Sequence, residues 1–507
     1  MMSRIDIKTE VVCRTFFEKI QGVNSNGNQG NRSEKGDGLE MKRKGILISA
    51  LLLGVLLCIA GIIVIAGVNK SSAKSTFAKI TENELFQEIP MMIGETIEFS
   101  EVRDVGDDNY AVLAEKSTLK EYQNYLNSLE KEGFKKYVDN GEKGLSESIY
   151  SAQYEKGDVT VYVSHMVKLN KTLINVCKGN VSSPNLFYDD SYVSNNIEGL
   201  KTSFHLPELH SGGNSFIFQL KNGHFIINDG AYQTDLPYLL DYLEKLAPAG
   251  EKPVVDAWII SHAHSDHMGV FQAMYDEEKY TDRISVEAVY YNEPSGEAIK
   301  TPSGVYDNVG PLVTYSKAVS SYLKNSDGEP TPLYRPRVGE RYYFNDITID
   351  VLYTQELIPA KDWLTWNSSS TMLMYTIEDQ KVFITGDSDY DCQIMFMNIF
   401  DSSYFDLDVY QAPHHGINVY KEFAYRCENI DTIIYPTYTL GSAAAETAFT
   451  GRAVQNAYLK SRAKEAYCFA NGTVVLTFPY EVGKAKILEP NQWIYDTEEP
   501  KWKAKVK

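Results

Sequence analysis

The stretch Ser261-His262-Ala263-His264-Ser265-Asp266-His267-Met268-Gly269 places three histidines and an aspartate within six residues, in a chain of 507 residues that has only nine histidines. The seven residues before it, Val254 to Ile260, are mostly apolar and rich in β-branched side chains, so they read as a buried strand. The cluster therefore sits on the loop leaving a strand, where a short turn can aim several side chains at one spot. His262 and His264 alternate to one side, and Asp266 and His267 follow on the turn into a helix. Imidazole and carboxylate in one cluster suit zinc, manganese or iron. The plain alternative is a solvated loop that happens to be rich in histidine.

Two further stretches argue against that alternative. Lys381-Val-Phe-Ile-Thr-Gly-Asp387 reads as a buried strand ending in an acidic turn, and Asp408-Val-Tyr-Gln-Ala-Pro-His414-His415-Gly416 as another ending in paired histidines. No histidine lies between His267 and His414, so five of the nine fall in two clusters, each at the end of a strand. Core packing gives no reason for that placement.

With these residues in view, the sequence resembles the metallo-β-lactamase superfamily, which carries H-x-H-x-D-H, a later Asp after a strand, and a final His. Within it, Thr385-Gly386-Asp387 and His414-His415-Gly416 resemble the branch of the ComEC β-lactamase-like domain and the teichoic acid phosphorylcholine esterases. Asn214-Ser-Phe-Ile-Phe and Phe225-Ile-Ile-Asn-Asp229-Gly230 are similar to the family's opening strands, and the resemblance covers residues 206–480. It implies an α/β fold, a four-layer αβ/βα sandwich with metals at one edge between the sheets. It implies two divalent ions, zinc foremost, with manganese or iron as alternatives. His262 and His264 would hold the first ion, Asp266, His267 and His415 the second, and Asp387 would bridge them. His414 would contact substrate beside the second ion and, with Asp266, serve the reaction. Asp229 would orient the first loop.

The chain departs from the wider family in one respect. Where many members supply a third histidine to the first ion, this sequence has Asn367-Ser368-Ser369-Ser370, which disfavours a β-lactamase. Tyr435-Pro-Thr-Tyr438 stands where the branch often carries another histidine. The implied chemistry is hydrolysis by a metal-activated hydroxide, with a phosphodiester favoured by the branch. The expected substrate is a cell-envelope polymer or a small phosphodiester. Two alternatives belong to other classes: a non-catalytic envelope-binding module, and a ComEC-like extracellular nuclease.

Outward from this core, the N-terminal part carries a different signal. Ile46 to Val68 is an uncharged run of 23 residues preceded by Lys42-Arg43-Lys44. At about 1.5 Å per residue it spans a hydrocarbon core of about 30 Å. The basic flank predicts a cytoplasmic N-terminus and a catalytic domain outside the cell membrane, held by a single pass. A cleaved signal peptide would have a shorter apolar region. The expected organisation is a disordered tail over 1–45, an anchor helix over 46–68, a linker over 69–84, a small α+β domain over 85–180, the metallo-β-lactamase-like domain over 200–495 and a tail over 496–507. In the small domain, Thr118-x-x-Glu121 predicts a capping box. Strands are expected at 96–102, 110–114, 149–154, 159–165 and 173–177.

Composition sets the remaining limits. The chain is 43% apolar and 23% charged, an ordinary globular balance. A net charge of −19 disfavours general nucleic-acid binding, which needs clustered positive charge. The six cysteines form no framework, and one bridge among Cys177, Cys392, Cys427 and Cys468 is open. Trp258 is expected in the core, His165 as an ordinary packed or surface residue, the leucines from Leu236 to Leu246 on a buried helix face, and Asp389 at a helix cap or behind the ligands; for Trp363 and Trp366 a substrate entrance is the less favoured alternative.

Overall fold

The computed structural model describes residues 80–504 apart from 81, 107, 180–181, 189–194, 210–211, 295–309, 359–364, 418, 428, 438–451, 489–492 and 497–500. The chain divides into Met1–Ser72 and Ala73–Lys507. The first unit, with the expected tail and the segment 46–68, lies outside the described residues. Among the described residues no helix is long and apolar enough to cross a membrane.

The small domain packs a seven-stranded antiparallel sheet against one long helix and the short helix Glu84–Gln87. Its main strands are β1 (Asn109–Glu115), β2 (Lys135–Asp139), β3 (Ile149–Lys156), β4 (Val159–Met166) and β5 (Lys171–Lys178), in the order β1-β5-β4-β3-β2. Glu98–Phe99 and Arg103–Asp104 each pair with β1. Helix α1 (Leu119–Lys131) starts at the predicted capping box: Thr118 accepts from the Glu121 N–H and Glu121 accepts from the Thr118 N–H. Its Tyr122, Tyr125 and Leu129 pack on the sheet in one apolar core. β2 was not expected, and the reason is its composition. Three of the five residues of Lys-Lys-Tyr-Val-Asp are charged and no residue is fully buried, as suits an edge strand that must not recruit partners. His165 is 1% exposed, which makes it a packed residue rather than a surface one.

The larger domain stacks two sheets. The first runs through β6 (Ser203–Leu206), β7 (Phe216–Gln219), β8 (Phe225–Asn228), β9 (Val254–Ile260) and β10 (Val289–Tyr291). The second runs in order through β11 (Arg341–Phe344), β12 (Ile347–Tyr353), β13 (Met372–Ile377), β14 (Gln380–Ile384), β15 (Asp406–Gln411), β16 (Asn429–Tyr435) and β17 (Ala463–Cys468). Alternation along the strands produces the layers. Phe216, Phe218, Ile226, Ala257 and Ile259 pack inward against Ile349, Leu373, Tyr375, Val382 and Val409 of the second sheet. Ile217, Phe225, Ile227, Trp258 and Ile260 point outward, onto α2 (Leu236–Leu246) and α3 (Ser265–Asp276). On the far side, Met374, Phe383, Tyr410 and Ile433 meet α4 (Tyr390–Ile399) and α5 (Lys421–Arg426). Helix, sheet, sheet and helix thus follow one another, as expected.

β8, β9 and β10 are parallel, as are β14, β15 and β16. Both parallel sets present their C-terminal ends together, where ligands of open α/β sheets bind. Cys177, Cys392, Cys427 and Cys468 are all free and buried, so no bridge joins them. Residues 493–496 pair with 501–504 in a two-stranded sheet, so the stretch expected to be a tail has regular backbone structure.

Candidate metal centre

β9 delivers the first cluster. Ser261 and His262 leave the strand fully buried, and His264 is the residue that begins α3. The loop is held from behind by Asp229, which follows β8. Its Oδ1 accepts the Ser261 N–H at 2.7 Å and its Oδ2 accepts the Ser261 hydroxyl at 2.9 Å. The same Oδ2 lies 2.9 Å from His267 Nδ1. That contact places the ring proton on Nδ1 and leaves Nε2 as the lone pair facing the site.

β14 delivers Asp387 through a turn that only glycine fits easily. Gly386 has φ +55°, and a Cβ there would meet Ser261 Cβ at 2.7 Å. Gln411 braces the turn, accepting from the Thr385 N–H and donating to the Gly386 carbonyl. β15 ends in His414 and His415, both left-handed with φ 49° and 54°. Two consecutive non-glycine residues there are strained, as is common where a fold aims side chains at a ligand. His415 Nδ1 donates to the Pro436 carbonyl at 2.7 Å, so its Nε2 also carries the lone pair.

These elements bring six side chains into two groups that share one carboxylate. His262, His264 and Asp387 form one group, and Asp266, His267, Asp387 and His415 the other. His267 Nε2 lies 3.1 Å from Asp387 Oδ1, and His415 Nε2 lies 3.1 Å from Asp266 Oδ2. His262 Nε2 and His415 Nε2 lie 3.9 and 3.8 Å from Asp387 Oδ2. His414 stands beside the groups, its Nε2 3.5 Å from Asp387 Oδ2 and its side chain 24% exposed.

The fit to cations can be tested on the donor atoms. Both Asp387 oxygens and His267 Nε2 are buried and lack hydrogen-bond partners. Buried polar atoms are normally paired, and such a cluster aimed at one point is what a bound cation would satisfy. Electrostatics agrees. Burial works against ionised Asp387, yet His267, His414 and His415 hold it well below the usual carboxylate range. Burial likewise opposes a charged His267, but Asp387, Asp229 and Asp266 hold it well above the ordinary histidine value. Positive charge is demanded at this spot, whether from a proton or a metal. Burial and neighbouring imidazoles push His262 well down, keeping it a neutral donor. Asp266, despite burial, is pushed down to about 2 by His267 and His415.

Residues 211–419 match the family model described as the metallo-beta-lactamase superfamily. This stretch is a metallo-beta-lactamase superfamily domain. Such domains bind divalent metals, and the two His/Asp groups fall within it or at its edge. No curated protein sequence matches the chain. Among solved structures, the chain is similar to the metallo-beta-lactamase fold protein YhfI from Bacillus subtilis, at 13% identity over 53% of this chain and 96% of that one, with a TM-score of 0.32. It is also similar to Zn(2+)-bound PqqB from Methylobacterium extorquens, at 9% identity over 46% and 71%, with a TM-score of 0.26. A third is a metallo beta lactamase from Hirschia baltica, at 12% identity over 46% and 70%, with a TM-score of 0.19.

Several contacts around the centre were not foreseen. Ser370, in the stretch lacking a third histidine, puts its hydroxyl 3.3 Å from His262 Nδ1 and accepts the Asp387 N–H. Tyr232 lies near enough that Asp266 and Asp387 join burial in pushing its hydroxyl up to about 12. Gln411 carried a faint signal, a polar residue ending an apolar strand. The Pro436 carbonyl carried none, since backbone atoms leave no trace in sequence. Trp366 is buried among the residues of the α2–α3 layer rather than at an entrance, and Trp363, His210 and Tyr438 lie outside the described residues. Asp389 caps α4, accepting from the Asp391 N–H.

Proposed function

We propose that this protein is a metal-dependent hydrolase that cleaves a phosphodiester, in a cell-envelope polymer or a small molecule. The observation that carries the reading is the sharing of the Asp387 carboxylate, buried and without a hydrogen-bond partner on either oxygen, between two His/Asp groups. In this reading His262, His264 and Asp387 hold one divalent ion, and Asp266, His267, Asp387 and His415 the other, with zinc preferred for its affinity for imidazole and carboxylate. Bound ions would supply Lewis acidity and lower the pKa of a water toward neutrality. The chain's own groups do the rest. Asp229 and Pro436 fix which nitrogen of His267 and His415 faces inward. Asp266 remains a carboxylate at neutral pH and orients the attacking water. His414, partly exposed at the rim, stabilises negative charge developing on the substrate oxygen. Histidine at only two positions of the first group, with Ser370 nearby, supports a phosphodiesterase over a β-lactamase.

The apolar run 46–68 after its basic flank supports a single-pass anchor in the cell membrane with the catalytic domain outside. The net charge of −19 supports an envelope substrate over nucleic acid. The test is metal content of the full-length protein by elemental mass spectrometry, together with turnover of bis(4-nitrophenyl) phosphate. About two ions per chain and chelator-sensitive turnover are expected. A metal-free protein that stays inert after zinc or manganese is added would favour the binding-module reading.

A further inference from the structure

The small domain docks on the turn before β11. Ser151 and Ser164 donate to the carbonyls of Gly339 and Val338 at 2.8 and 2.6 Å. The docking is not seamless. A cavity of about 240 Å³ remains between the β2–β3–β4 face and residues 337–343. None of its lining residues belongs to the His/Asp centre. Its size falls below the about 300–1,000 Å³ of drug-sized pockets, which suits one ring or a short polyol.

Three polar atoms of the lining lack partners. Gln153 is 1% exposed, and its Oε1 accepts no hydrogen bond. Arg337 is 2% exposed, and its Nε–H finds no acceptor. Both bonds to the Glu340 carboxylate, from the Arg337 N–H and the Tyr342 hydroxyl, fall on Oε2, and among the described residues none reaches Oε1. Buried donors and acceptors are usually paired, so the Arg337 donor and the Gln153 acceptor beside one cavity call for something that both accepts and donates.

Charge narrows the class. Arg337 is already engaged by Glu356 and Asn109 and lies over the Tyr162 ring. Arg341 is held by both oxygens of Asp350, and Asp139 pairs with Lys136. No cation of the lining is left over for a phosphate or carboxylate. The leftover carboxyl, Glu340, is buried and resists ionisation, its pKa pushed up to about 7 by that burial. With Arg337 and Arg341 each already paired to a carboxylate, a neutral ligand suits the cavity, and hydroxyl groups are what both donate and accept.

We propose that this interdomain cavity is a binding site for a neutral polyhydroxylated ligand, a saccharide unit, separate from the metal centre and recognised by Gln153, Arg337 and Glu340. The inference stands apart from the phosphodiesterase reading, because it concerns different residues and a binding readout.

The test is saturation-transfer difference NMR and calorimetry on the full-length protein. The probes are glucose, N-acetylglucosamine and glycerol, with inorganic phosphate as the anionic control. Saturable binding of a neutral probe is expected, weakened about tenfold by Gln153→Met, the effect of one lost hydrogen bond. It should be unchanged by Asp387→Asn at the metal centre. Should Gln153→Met fail to fold, Tyr343→Leu at the cavity's partly exposed wall replaces it, with the same expected weakening. Three results overturn the proposal: phosphate binding without sugar binding, binding lost in Asp387→Asn but kept in Gln153→Met, or no neutral probe bound at tens of millimolar. The last would mean that the seam holds only water.

Discussion

His267 Nε2 stands 3.1 Å from Asp387 Oδ1 inside the protein, yet neither atom has a hydrogen-bond partner. The pair attracts, and each holds the other in its charged form. Replacing Asp387 should therefore act on cation binding first. In Asp387→Asn, both groups lose their shared anion, and metal content should fall from about two ions per chain to one or none. Turnover of a phosphodiester should fall to background while far-ultraviolet circular dichroism stays native. Full metal content in this variant would remove Asp387 from the bridging role.

Asp229 offers a graded version of the same test. It touches no position where an ion would sit, but holds His267 Nδ1 and both polar atoms of Ser261. Asp229→Asn should weaken metal affinity or activity by about 10–100-fold, the range for partners that orient a ligand. Metal titration against a competing chelator measures it. Unchanged affinity would mean that the His267 ring is held by packing alone.

The paired histidines should separate cleanly. His415 has its Nδ1 tied to the Pro436 carbonyl and its Nε2 in the second group, whereas His414 is outside both groups and partly exposed. His415→Ala should lose metal. His414→Ala should keep it and lose about 10²–10⁴-fold in kcat, as expected for a group acting on the reacting atoms. The reverse pattern in metal content would exchange the two roles.

How much of this was legible in sequence follows from what each contact is made of. His262, His264, Asp266, His267, Asp387 and His415 were visible because rare side chains cluster at strand ends. β9 was bounded correctly at Val254–Ile260, since a buried strand in parallel pairing must be apolar on both faces. β2 was hidden because an exposed edge needs charge rather than hydrophobicity. The seat of Gly386 against Ser261, the Pro436 carbonyl and the cavity beside Gln153 were hidden for another reason. They depend on backbone atoms and on the approach of segments nearly two hundred residues apart, such as Ser151 and Gly339.

The docking of the small domain gives a stability prediction free of any metal. Gly339 has φ +94°, and a Cβ there would meet Ser151 Cβ at 2.7 Å and Ile149 Cγ2 at 2.9 Å. Gly339→Ala combines a left-handed backbone with an overpacked contact and should cost about 1–3 kcal/mol. Urea unfolding followed by fluorescence would show it as a lower midpoint. An unchanged midpoint would mean that the turn carries no strain when the two domains meet.

Acid should loosen the small domain through His165. Burial pushes this imidazole down to about 4, with its Nδ1 beside the Thr172 hydroxyl and its ring stacked on Tyr122. The unfolded chain titrates near the ordinary histidine value of about 6.5 and therefore takes up a proton first as pH falls. Stability contributed by neutral His165 is then complete above about 6.5 and is lost as pH drops toward 4, at up to about 1.4 kcal/mol per pH unit. The wild type should lose more unfolding free energy between pH 7 and pH 5 than His165→Phe, which has no proton to take up. Equal losses in the two proteins would mean that the acid sensitivity arises from other groups and that His165 titrates alike in the folded and unfolded states.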